Sequence, residues 1–543
     1  MARWCAVSKP CRCRRNRTPH ALSRLIPCTV SARDQPVSSA QTPEEIADLV
    51  AGYISENPGA VVIEDGKMLF DFSTARYSAA PERDRCLLEI WSEERNIVRR
   101  AASAEIKNGI LKLWVHRFGQ AKPSRMEICA QAERQSPSAL KAMRAAYQRA
   151  LEPALAQAFP GWTLDRLSSA ADLEHSFGAV CARGLLRRGQ ERIAVIGLGD
   201  GESQATIDNS VAVAVLWLDY CREHLAARSH VSTLALFVPS GRSLTAQLRL
   251  SHLDRRAVHW RLFSLDQHTA QSEELDLASE LNLSTHLVHC FDRQQTLERF
   301  ASSVERMRAL CPQAEAVAQG TSSVSFRFHG LEFARATLEP DRHFRTAERI
   351  VFGAPPAEYE WNDDTEPLLR QLTERLLLKR VGRNRTDPFY RLQPERWLQS
   401  VVERDITQLD ARLDPALLYP QVPAFAASDR AVIDLLGLTR DGRLAVVELK
   451  AAEDFHLPMQ GLDYWARVRW HHRRGEFQKH GYFPGRILSE RDPILILAAP
   501  ALHVHSSTAT MLRYFSPELD WTLLALDERW RDGIRVVFHQ QKE

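Results

Sequence analysis

The stretch IDLLGLTRDGRLAVVELKAAEDFHLPMQGLDYW (433–465) decides the fold, because it joins an apolar hairpin to a helix and adds charges that a buried sheet rarely carries. Arg440-Asp441-Gly442 supplies turn residues for a three-residue hairpin loop. Side chains alternate along a strand, so Glu448 and Lys450 share one face. The hairpin sets Asp434 opposite, or nearly opposite, Glu448. We therefore expect two carboxylates and an ammonium group on one face at the end of the hairpin.

This combination of charges favours chemistry on a phosphate. Two adjacent carboxylates raise each other's pKa unless a cation lies between them. Mg²⁺ meets that need and is commonly held by one or two carboxylates together with water and phosphate oxygens. A lysine beside the ion can orient or deprotonate a water molecule, or neutralise developing charge. The pattern is typical of phosphodiester hydrolysis.

The same residues resemble a known family. Asp434 followed by Glu448-Leu449-Lys450 resembles the signature of the PD-(D/E)XK nuclease superfamily, with Ile433 in the place of its proline. Gln460 and Tyr464 resemble the Gln-xxx-Tyr helix motif of RecB-like members, and the segment is also similar to archaeal mismatch endonucleases. The resemblance is confined to the C-terminal part of the chain.

The resemblance implies a restriction-endonuclease-like core, a mixed sheet flanked by helices, with Mg²⁺ or Mn²⁺ as cofactor and DNA as substrate. Members carry a Glu on the helix before the hairpin, where this chain has Glu395, with Glu403 as the second choice. The implied roles are metal binding by Asp434, Glu448 and the Leu449 carbonyl, with Glu395 as a further ligand, water activation by Lys450, and support of the site or contact with substrate by Gln460 and Tyr464.

Other interpretations of the charges and of the function stay open. Asp434 could lie in a turn and Glu448 could pair with Lys450 at an exposed strand end, but both strands are too apolar for a solvated edge. Arg467, Arg473 and Arg474 follow the Gln-xxx-Tyr motif and are candidates for phosphate contact. The prediction is a metal-dependent endo- or exonuclease. The alternative is an inactive nuclease-fold protein that binds DNA or acts as a scaffold, and RNA is not excluded as a ligand.

The two halves of the chain contain an internal repeat, which predicts an old tandem duplication. Its matches recur in one order: RIAVIGLG (192–199) with RLAVVELK (443–450), LDY (218–220) with LDY (462–464), and the spacing of Pro239, Trp260 and Asp266 with that of Pro500, Trp521 and Asp527. Counting from these matches puts Arg183, Gly197 and Gly199 at the positions of the Asp, Glu and Lys. None of the three can hold a metal, so we expect a degenerate first copy and one active site per chain.

Composition limits the remaining possibilities. With 543 residues, 44% hydrophobic, 26% charged and a net charge of +3, the chain is typical of a soluble multidomain protein and does not announce a nucleic-acid binder by charge alone. No apolar run approaches the roughly 18 residues of a membrane span, so no membrane partner is expected. Ten scattered cysteines do not indicate a disulfide scaffold, and a cytoplasmic location follows as the default. The sequence has no P-loop, so a motor would be a separate partner chain; a homodimer is a second partner hypothesis.

Five segments are expected along the chain. The Arg-rich start is read as a disordered basic tail, with a transit peptide or a cysteine metal site as alternatives. Mainly β segments are expected to precede each nuclease-like core. The expected boundaries are 1–41 for the tail, 42–136 for a mainly β domain, 137–270 for the degenerate core, 271–385 for a second β/α segment and 386–543 for the nuclease-like domain.

Overall fold

The structure is a computed structural model that describes most of the chain. Described are residues 41–542 apart from gaps at 65–66, 73–74, 83–84, 92–95, 108, 117–123, 130–136, 171, 173–176, 179, 226–229, 278–284, 341–345, 355–356, 382–384 and 427–428. The expected basic tail, 1–41, lies outside the described residues except for Gln41. In the described part no helix is both long and apolar enough to cross a bilayer.

The described residues up to Ala139 form one compact unit, a helix packed on an antiparallel sheet. Helix α1 (Pro43–Glu56) begins with a capping box, because the Thr42 side chain accepts a hydrogen bond from the Glu45 amide and the Glu45 carboxylate accepts one from Thr42. The strands are β1 (Val61–Glu64), β2 (Lys67–Asp71), β3 (Arg76–Glu82), β4 (Arg85–Trp91), β5 (Asn96–Lys107), β6 (Ile110–His116) and β7 (Ser124–Cys129), in the spatial order β2-β1-β7-β6-β5-β4-β3.

The chain from Leu140 onward forms a second unit with three sheets. Its helices are α2 (Pro137–Ala158), which begins just before the boundary, α3 (Gln204–Asp208), α4 (Ser210–Leu225), α5 (Leu244–Ser251), α6 (Arg293–Arg299), α7 (Ala301–Leu310), α8 (Glu366–Lys379), α9 (Pro388–Arg391), α10 (Pro394–Arg404), α11 (Leu457–Arg473), α12 (Glu476–Lys479) and α13 (Thr508–Arg513). Its strands are β8 (Thr163–Ser168), β9 (Ala182–Arg188), β10 (Glu191–Gly197), β11 (His230–Pro239), β12 (His259–Asp266), β13 (Gln271–Leu275), β14 (His286–Leu287), β15 (Glu315–Ala318), β16 (Ser323–Phe328), β17 (Leu331–Pro340), β18 (Thr346–Ala354), β19 (Ala357–Glu360), β20 (Leu413–Ala426), β21 (Asp429–Thr439), β22 (Leu444–Leu449), β23 (Ile494–Pro500), β24 (Asp520–Leu526) and β25 (Val536–Gln541).

Two of these sheets are mixed and share one pattern of pairing. The first runs β13-β12-β11-β10-β9-β8, and the second runs β25-β24-β23-β22-β21-β20 with β14 added at its edge. In both, the three central strands are parallel and the outer pairings are antiparallel. The central strands are long apolar runs because helices cover both faces; β23, for example, is buried along its whole length.

The two mixed sheets pack against each other through the helices between their parallel strands. Leu253 and Phe515 form a β-bridge where the two halves meet. Two ion pairs cross this interface in opposite directions: Arg249 of α5 to Asp463 of α11 at 2.7 Å, and Arg513 of α13 to Asp219 of α4 at 3.1 Å. One hydrophobic core runs from the first sheet to the second, while α2 and α10 each cover an outer face. The arrangement is reciprocal, like the interface of a twofold dimer.

The third sheet is an antiparallel meander, β15 to β19, anchored on α10. The His329 ring stacks on the Trp397 ring at 4.9 Å, and Arg404 pairs with Glu315 at 2.8 Å. Gly330 has a positive φ of 74°, and a Cβ there would lie 2.0 Å from the Arg396 carbonyl oxygen, so only glycine fits. An antiparallel sheet thus precedes each mixed sheet in the chain, although the two antiparallel sheets differ in strand number and order.

Candidate active site

The hairpin of β21 and β22 brings two carboxylates together. Leu435 pairs with Val447, so the next rung sets Asp434 opposite Glu448. The Leu449 amide donates a hydrogen bond of 3.0 Å to Asp434 Oδ2, which fixes that carboxylate across the hairpin. The structure therefore has the side-chain pairing that strand alternation predicts.

Lys450 follows β22 directly and stands among carboxylates. Its Nζ lies 3.5 Å from Glu448 Oε1, 3.6 Å from Asp454 Oδ2 and 3.9 Å from Glu395 Oε1. Its backbone is held by a 2.9 Å hydrogen bond from its amide to the Ala498 carbonyl oxygen. Only 12% of the Lys450 side chain is exposed, so its ammonium group is largely committed to these partners.

Helix α10 contributes one of the two glutamates considered for the site. Glu395 is in its first turn and reaches Lys450, whereas Glu403, two turns later, accepts a hydrogen bond from the Gln399 side chain. Glu403 lies near Arg293 of α6 and Arg327 of β16. The structure thus brings Glu395, and not Glu403, to Lys450.

Gln421 of β20 holds the other side of Asp434. Its Nε2 donates a 2.6 Å hydrogen bond to Gln399 Oε1 and lies 3.5 Å from Asp434 Oδ1. Gln421 has a φ of 54°, a left-handed conformation that a non-glycine residue adopts only at a cost in free energy. The irregular strand therefore turns an amide donor toward the carboxylate.

Helix α11 carries Gln460 and Tyr464 one turn apart and lies against the sheet. A Cβ on Gly461 would come within 2.5 Å of Leu497 Cδ2, so glycine allows close approach of the helix to β23. Burial raises the pKa of the Tyr464 hydroxyl, and the carboxylates of Glu448 and Asp434 raise it further. Gln460 Oε1 is buried and has no hydrogen-bond partner within the described part of the chain.

The cluster holds more negative than positive charge. The pKa of Glu448 is well above its usual value because the side chain is buried and Asp434 lies beside it, and Lys450 only partly offsets this. Burial also raises the pKa of Asp434 and of Glu395. Burial alone would lower the pKa of Lys450, but the surrounding carboxylates raise it, Glu448 first. Glu395, Asp434, Glu448 and Asp454 share the Lys450 ammonium group and, for Glu395 and Asp434, the Arg396 guanidinium, so four carboxylates face two cations and a further cation would be favoured.

The residues could hold an ion such as Mg²⁺, which usually keeps several water molecules among its ligands. Glu448 is 2% exposed, and its Oε2 has no hydrogen-bond partner among the described residues. Asp434 and the Leu449 carbonyl are the neighbouring oxygen donors on the same hairpin. Across the described ranges no three His, Cys, Asp or Glu side chains meet as a metal-binding group. Two carboxylates with water and phosphate oxygens are the usual ligands of Mg²⁺.

No protein family model matches this chain. A search of curated proteins also finds no match. The chemistry of the chain's own residues is therefore the basis for a functional assignment.

The three arginines after the Gln-xxx-Tyr motif have partners in their own chain. Arg467 is buried and close to Tyr464. Arg473 forms an ion pair with Asp492 at 3.1 Å, and the Arg474 guanidinium stacks 3.2 Å above the Trp470 ring. Their contact with nucleic acid stays a prediction.

The first mixed sheet has different chemistry at the corresponding place. Arg183 of β9 pairs with Ile196 of β10, the rung that matches Asp434 and Glu448. The Leu198 amide donates to the Phe237 carbonyl oxygen at 3.0 Å, as Lys450 does to Ala498. Ile196 and Leu198 thus occupy the two positions, one residue before the expected Gly197 and Gly199.

The space at this end of the first sheet is filled by the chain itself. The Arg183 guanidinium donates to the carbonyl oxygens of Gly178, at 2.8 Å, and Ala170. On the opposite face of the sheet, the Tyr147 hydroxyl of α2 lies over Gly197, since a Cβ there would be 2.5 Å from it. Arg183, Ile196 and Leu198 offer no oxygen ligand from their side chains.

Sequence reasoning missed four contributors to the site of the second sheet. Asp454, four residues after Lys450, lies inside the segment of the resemblance but is not part of its motifs. Gln399 is one turn after Glu395 on α10, a spacing that could have indicated it. Arg396, whose Nη1 is 3.5 Å from Gln399 Oε1, has no distinguishing pattern. Gln421 depends on an irregular strand that alternation does not reveal.

Proposed function

We propose that the second mixed sheet carries a metal-dependent nuclease site of PD-(D/E)XK type, which hydrolyses phosphodiester bonds in DNA with Mg²⁺ or Mn²⁺ as cofactor. The observation that carries the proposal is the buried, unshared Oε2 of Glu448, considered among the described residues, in a cluster with Asp434 opposite and Lys450 Nζ 3.5 Å away. A buried carboxylate oxygen without a partner is costly, and a bound ion or water is one explanation for it at a site of this kind.

Each residue has a role in this proposal. Asp434, Glu448 and the Leu449 carbonyl would hold the ion, which when bound supplies Lewis-acid polarisation of the phosphate and lowers the pKa of water. Lys450, whose raised pKa keeps it protonated, orients the attacking water and offsets charge on the phosphate. Glu395 lies on the far side of Lys450 with a pKa raised by burial, and accepts the proton of the water.

Gln460 and Tyr464 of α11 form one side of the site. Tyr464 keeps its proton because burial and the carboxylates raise its pKa, so its hydroxyl donates a hydrogen bond to a carboxylate or a phosphate oxygen. Gln460 presents an amide whose oxygen is unshared among the described residues. Both steady the substrate backbone beside the carboxylates.

We also propose that the two mixed sheets are restriction-endonuclease-like cores related by tandem duplication, with one active site per chain. The shared strand order, the shared strand directions and the reciprocal ion pairs support this. Arg183, which stands opposite Ile196 and donates hydrogen bonds to backbone carbonyl oxygens, supports a degenerate first copy.

The test is cleavage of labelled single-stranded, duplex and branched DNA with Mg²⁺ or Mn²⁺. We expect cleavage by the wild type and loss of about 10²- to 10⁴-fold in rate in Lys450→Ala, because removal of one transition-state donor typically has an effect of this size. Lys379→Ala is the matched control, since Lys379 lies on α8 and pairs with Asp387 at 3.5 Å. It should cut at the wild-type rate.

Two results would contradict the proposal. Cleavage that survives Lys450→Ala would assign the activity to another site or to a contaminant. Absence of cleavage by wild type and variant, together with tight DNA binding by both, would favour the non-catalytic scaffold.

A further inference from the structure

A cleft lies between the antiparallel meander and the second mixed sheet, next to the carboxylate cluster. Its volume is about 180 Å³. The walls come from β15 and β16 on one side and from β20 on the other. Its polar lining includes Arg293, Gln319, Arg327, Tyr419 and Gln421. None of the roles proposed above uses this cleft.

The cleft has an excess of positive charge. Arg293 stacks 5.6 Å from the Tyr419 ring centroid, and Arg327 Nε donates a 3.0 Å hydrogen bond to Ser325 Oγ. Each guanidinium carries five N–H donors, and its fork matches the oxygens of a phosphate. Glu403 of α10 lies near both arginines, and its carboxylate already accepts a hydrogen bond from the Gln399 side chain.

Glu315 and Glu332, the other carboxylates near Arg327, are both paired with other arginines. Glu315 lies 2.8 Å from Arg404, and Glu332 forms an ion pair with Arg335. The two cleft arginines are therefore not neutralised by an equal number of carboxylates, and an anionic ligand would be favoured between them.

A polar path joins the cleft to the carboxylate cluster. Gln421 lines the cleft, and its Nε2 lies 3.5 Å from Asp434 Oδ1. On α10, Glu395, Gln399 and Glu403 follow at intervals of four residues and share one face. Eight residues of helix span about 12 Å, so Glu403 near the cleft arginines lies about that far along α10 from Glu395 beside Lys450.

We propose that this cleft binds the sugar–phosphate backbone of a single nucleic-acid strand and guides it to Asp434 and Glu448. The inference deepens the proposed nuclease function and rests on it for the identity of the ligand. A volume of about 180 Å³ holds a phosphate with part of its nucleotide and is below the roughly 300 Å³ of the smallest usual ligand pockets. Because this volume holds only part of one nucleotide, a base pair does not fit inside the cleft.

The test measures binding separately from cleavage. A fluorescent single-stranded DNA oligonucleotide, its RNA counterpart and a duplex of the same sequence are titrated with the full chain in EDTA, with anisotropy as readout. Arg327→Gln and Arg293→Gln should each weaken single-strand binding about 5- to 10-fold at low salt. Each should also reduce the slope of log K against log salt by about 0.7, the value for one lost phosphate contact on a single strand.

The controls separate charge, folding and position. Arg308→Gln, an exposed arginine of α7 outside the cleft, should bind as wild type does. Arg293→Lys keeps the charge and should retain the salt slope. A thermal melt of every variant identifies misfolding, and Arg293→Gln stands in for Arg327→Gln if that variant does not fold, because the Arg327 side chain supports Ser325.

The outcomes distinguish this inference from the nuclease itself. Weaker single-strand binding in the cleft variants, with the control unchanged, supports the cleft even if no DNA is ever cut. If both cleft variants keep the affinity and the salt slope of the wild type, the proposal that the cleft binds a single strand is wrong. Tighter binding of the duplex than of the single strand would also contradict it. If the wild type still cuts DNA in that case, the nuclease stands without the cleft. Equal affinity for RNA and DNA supports a contact to phosphate, which both share.

Discussion

Glu448 is the residue in which structure and proposed chemistry meet most directly. Its carboxylate is 2% exposed, faces Asp434 and is served by one ammonium group 3.5 Å away. An ionised carboxylate in this position destabilises the folded state. A bound cation would offset that cost.

The burial of Glu448 predicts a pH-dependent gain in stability for Glu448→Gln when metal is chelated. A carboxyl whose folded pKa is raised stabilises the fold below its unfolded pKa, about 4.5, and loses that contribution as pH rises through the folded pKa. The advantage of the glutamine variant should therefore be small near pH 5 and grow to about 1–3 kcal/mol by pH 8. Urea unfolding midpoints in EDTA measure it.

The neighbouring carboxylate Glu453 provides the control for this prediction. Its side chain is 58% exposed, so Glu453→Gln should have little effect at any pH. A difference between Glu448→Gln and wild type that stays constant from pH 5 to pH 8 would contradict the assigned burial. Addition of Mn²⁺ should stabilise the wild type and not Glu448→Gln.

At the scale of single elements, two backbone features position the site. The left-handed residue Gln421 in β20 turns its amide toward Asp434, and Gly461 lets α11 approach β23 closely. Neither backbone feature takes part in the proposed reaction. Each positions a side chain that belongs to the candidate site.

The irregularity in β20 can be separated from its function by two substitutions. Gln421→Gly and Gln421→Ala both remove the amide donor, so each should lower the cleavage rate about tenfold. Only glycine relieves the left-handed backbone, so the glycine variant should be more stable than the alanine variant by about 1 kcal/mol. Equal stability of the two variants would show that the left-handed backbone at this position costs nothing. An unchanged cleavage rate would show that the contact of the Gln421 amide with Asp434 does not matter. Chemical denaturation and initial cleavage rates decide it.

The close contact of α11 predicts a loss of stability and rate in Gly461→Ala. The new methyl group would lie 2.5 Å from Leu497 Cδ2 and 3.1 Å from Leu495 Cδ1, so helix and sheet must separate. We expect a loss of about 1–3 kcal/mol in stability and a slower reaction, because Gln460 and Tyr464 move with the helix. Gly52→Ala on α1 is the control, since nothing lies within 4 Å of its Cβ position and alanine favours a helix. It should be neutral or stabilising.

The local features of the site could be predicted from sequence where one element determines them. Strand alternation and the turn residues set Asp434 against Glu448, and helical spacing set Gln460 near Tyr464. Contacts between distant elements could not be predicted: the pairing of Arg473 with Asp492 depends on how β23 follows α11, and the direction of Gln421 depends on a backbone irregularity. The choice of Glu395 over Glu403 required the placement of α10 beside the hairpin.

At the scale of the whole second unit, the two mixed sheets meet through reciprocal ion pairs that differ in exposure. The Arg249 side chain is 5% exposed beside Asp463, whereas the Arg513 side chain is 60% exposed beside Asp219. The two ion pairs are thus alike in the elements they join and different in burial.

This asymmetry predicts unequal effects of equal substitutions. Arg249→Gln leaves the carboxylate of Asp463 without its cation in a nearly closed interface, so we expect a loss of about 3–5 kcal/mol. Arg513→Gln should cost about 1 kcal/mol or less, because solvent already screens that pair. Unfolding midpoints of the two variants provide the comparison. Equal losses would mean that the two pairs are energetically alike in spite of their burial.

One site per chain predicts that a monomer nicks DNA. Supercoiled plasmid should convert first to open circle, and linear product should appear only after a second encounter. A gel time course at a protein concentration where sedimentation shows a monomer is the measurement. Linear product that forms as fast as nicked product from that monomer would contradict the assignment of a single site.

The bridge between Leu253 and Phe515 joins surfaces that belong to one polypeptide. A pair of separate subunits falls apart on dilution, because association depends on concentration. Here the connecting chain keeps the effective local concentration of one half near the other fixed. A cell that makes only a few copies of this protein would still have every copy fully assembled.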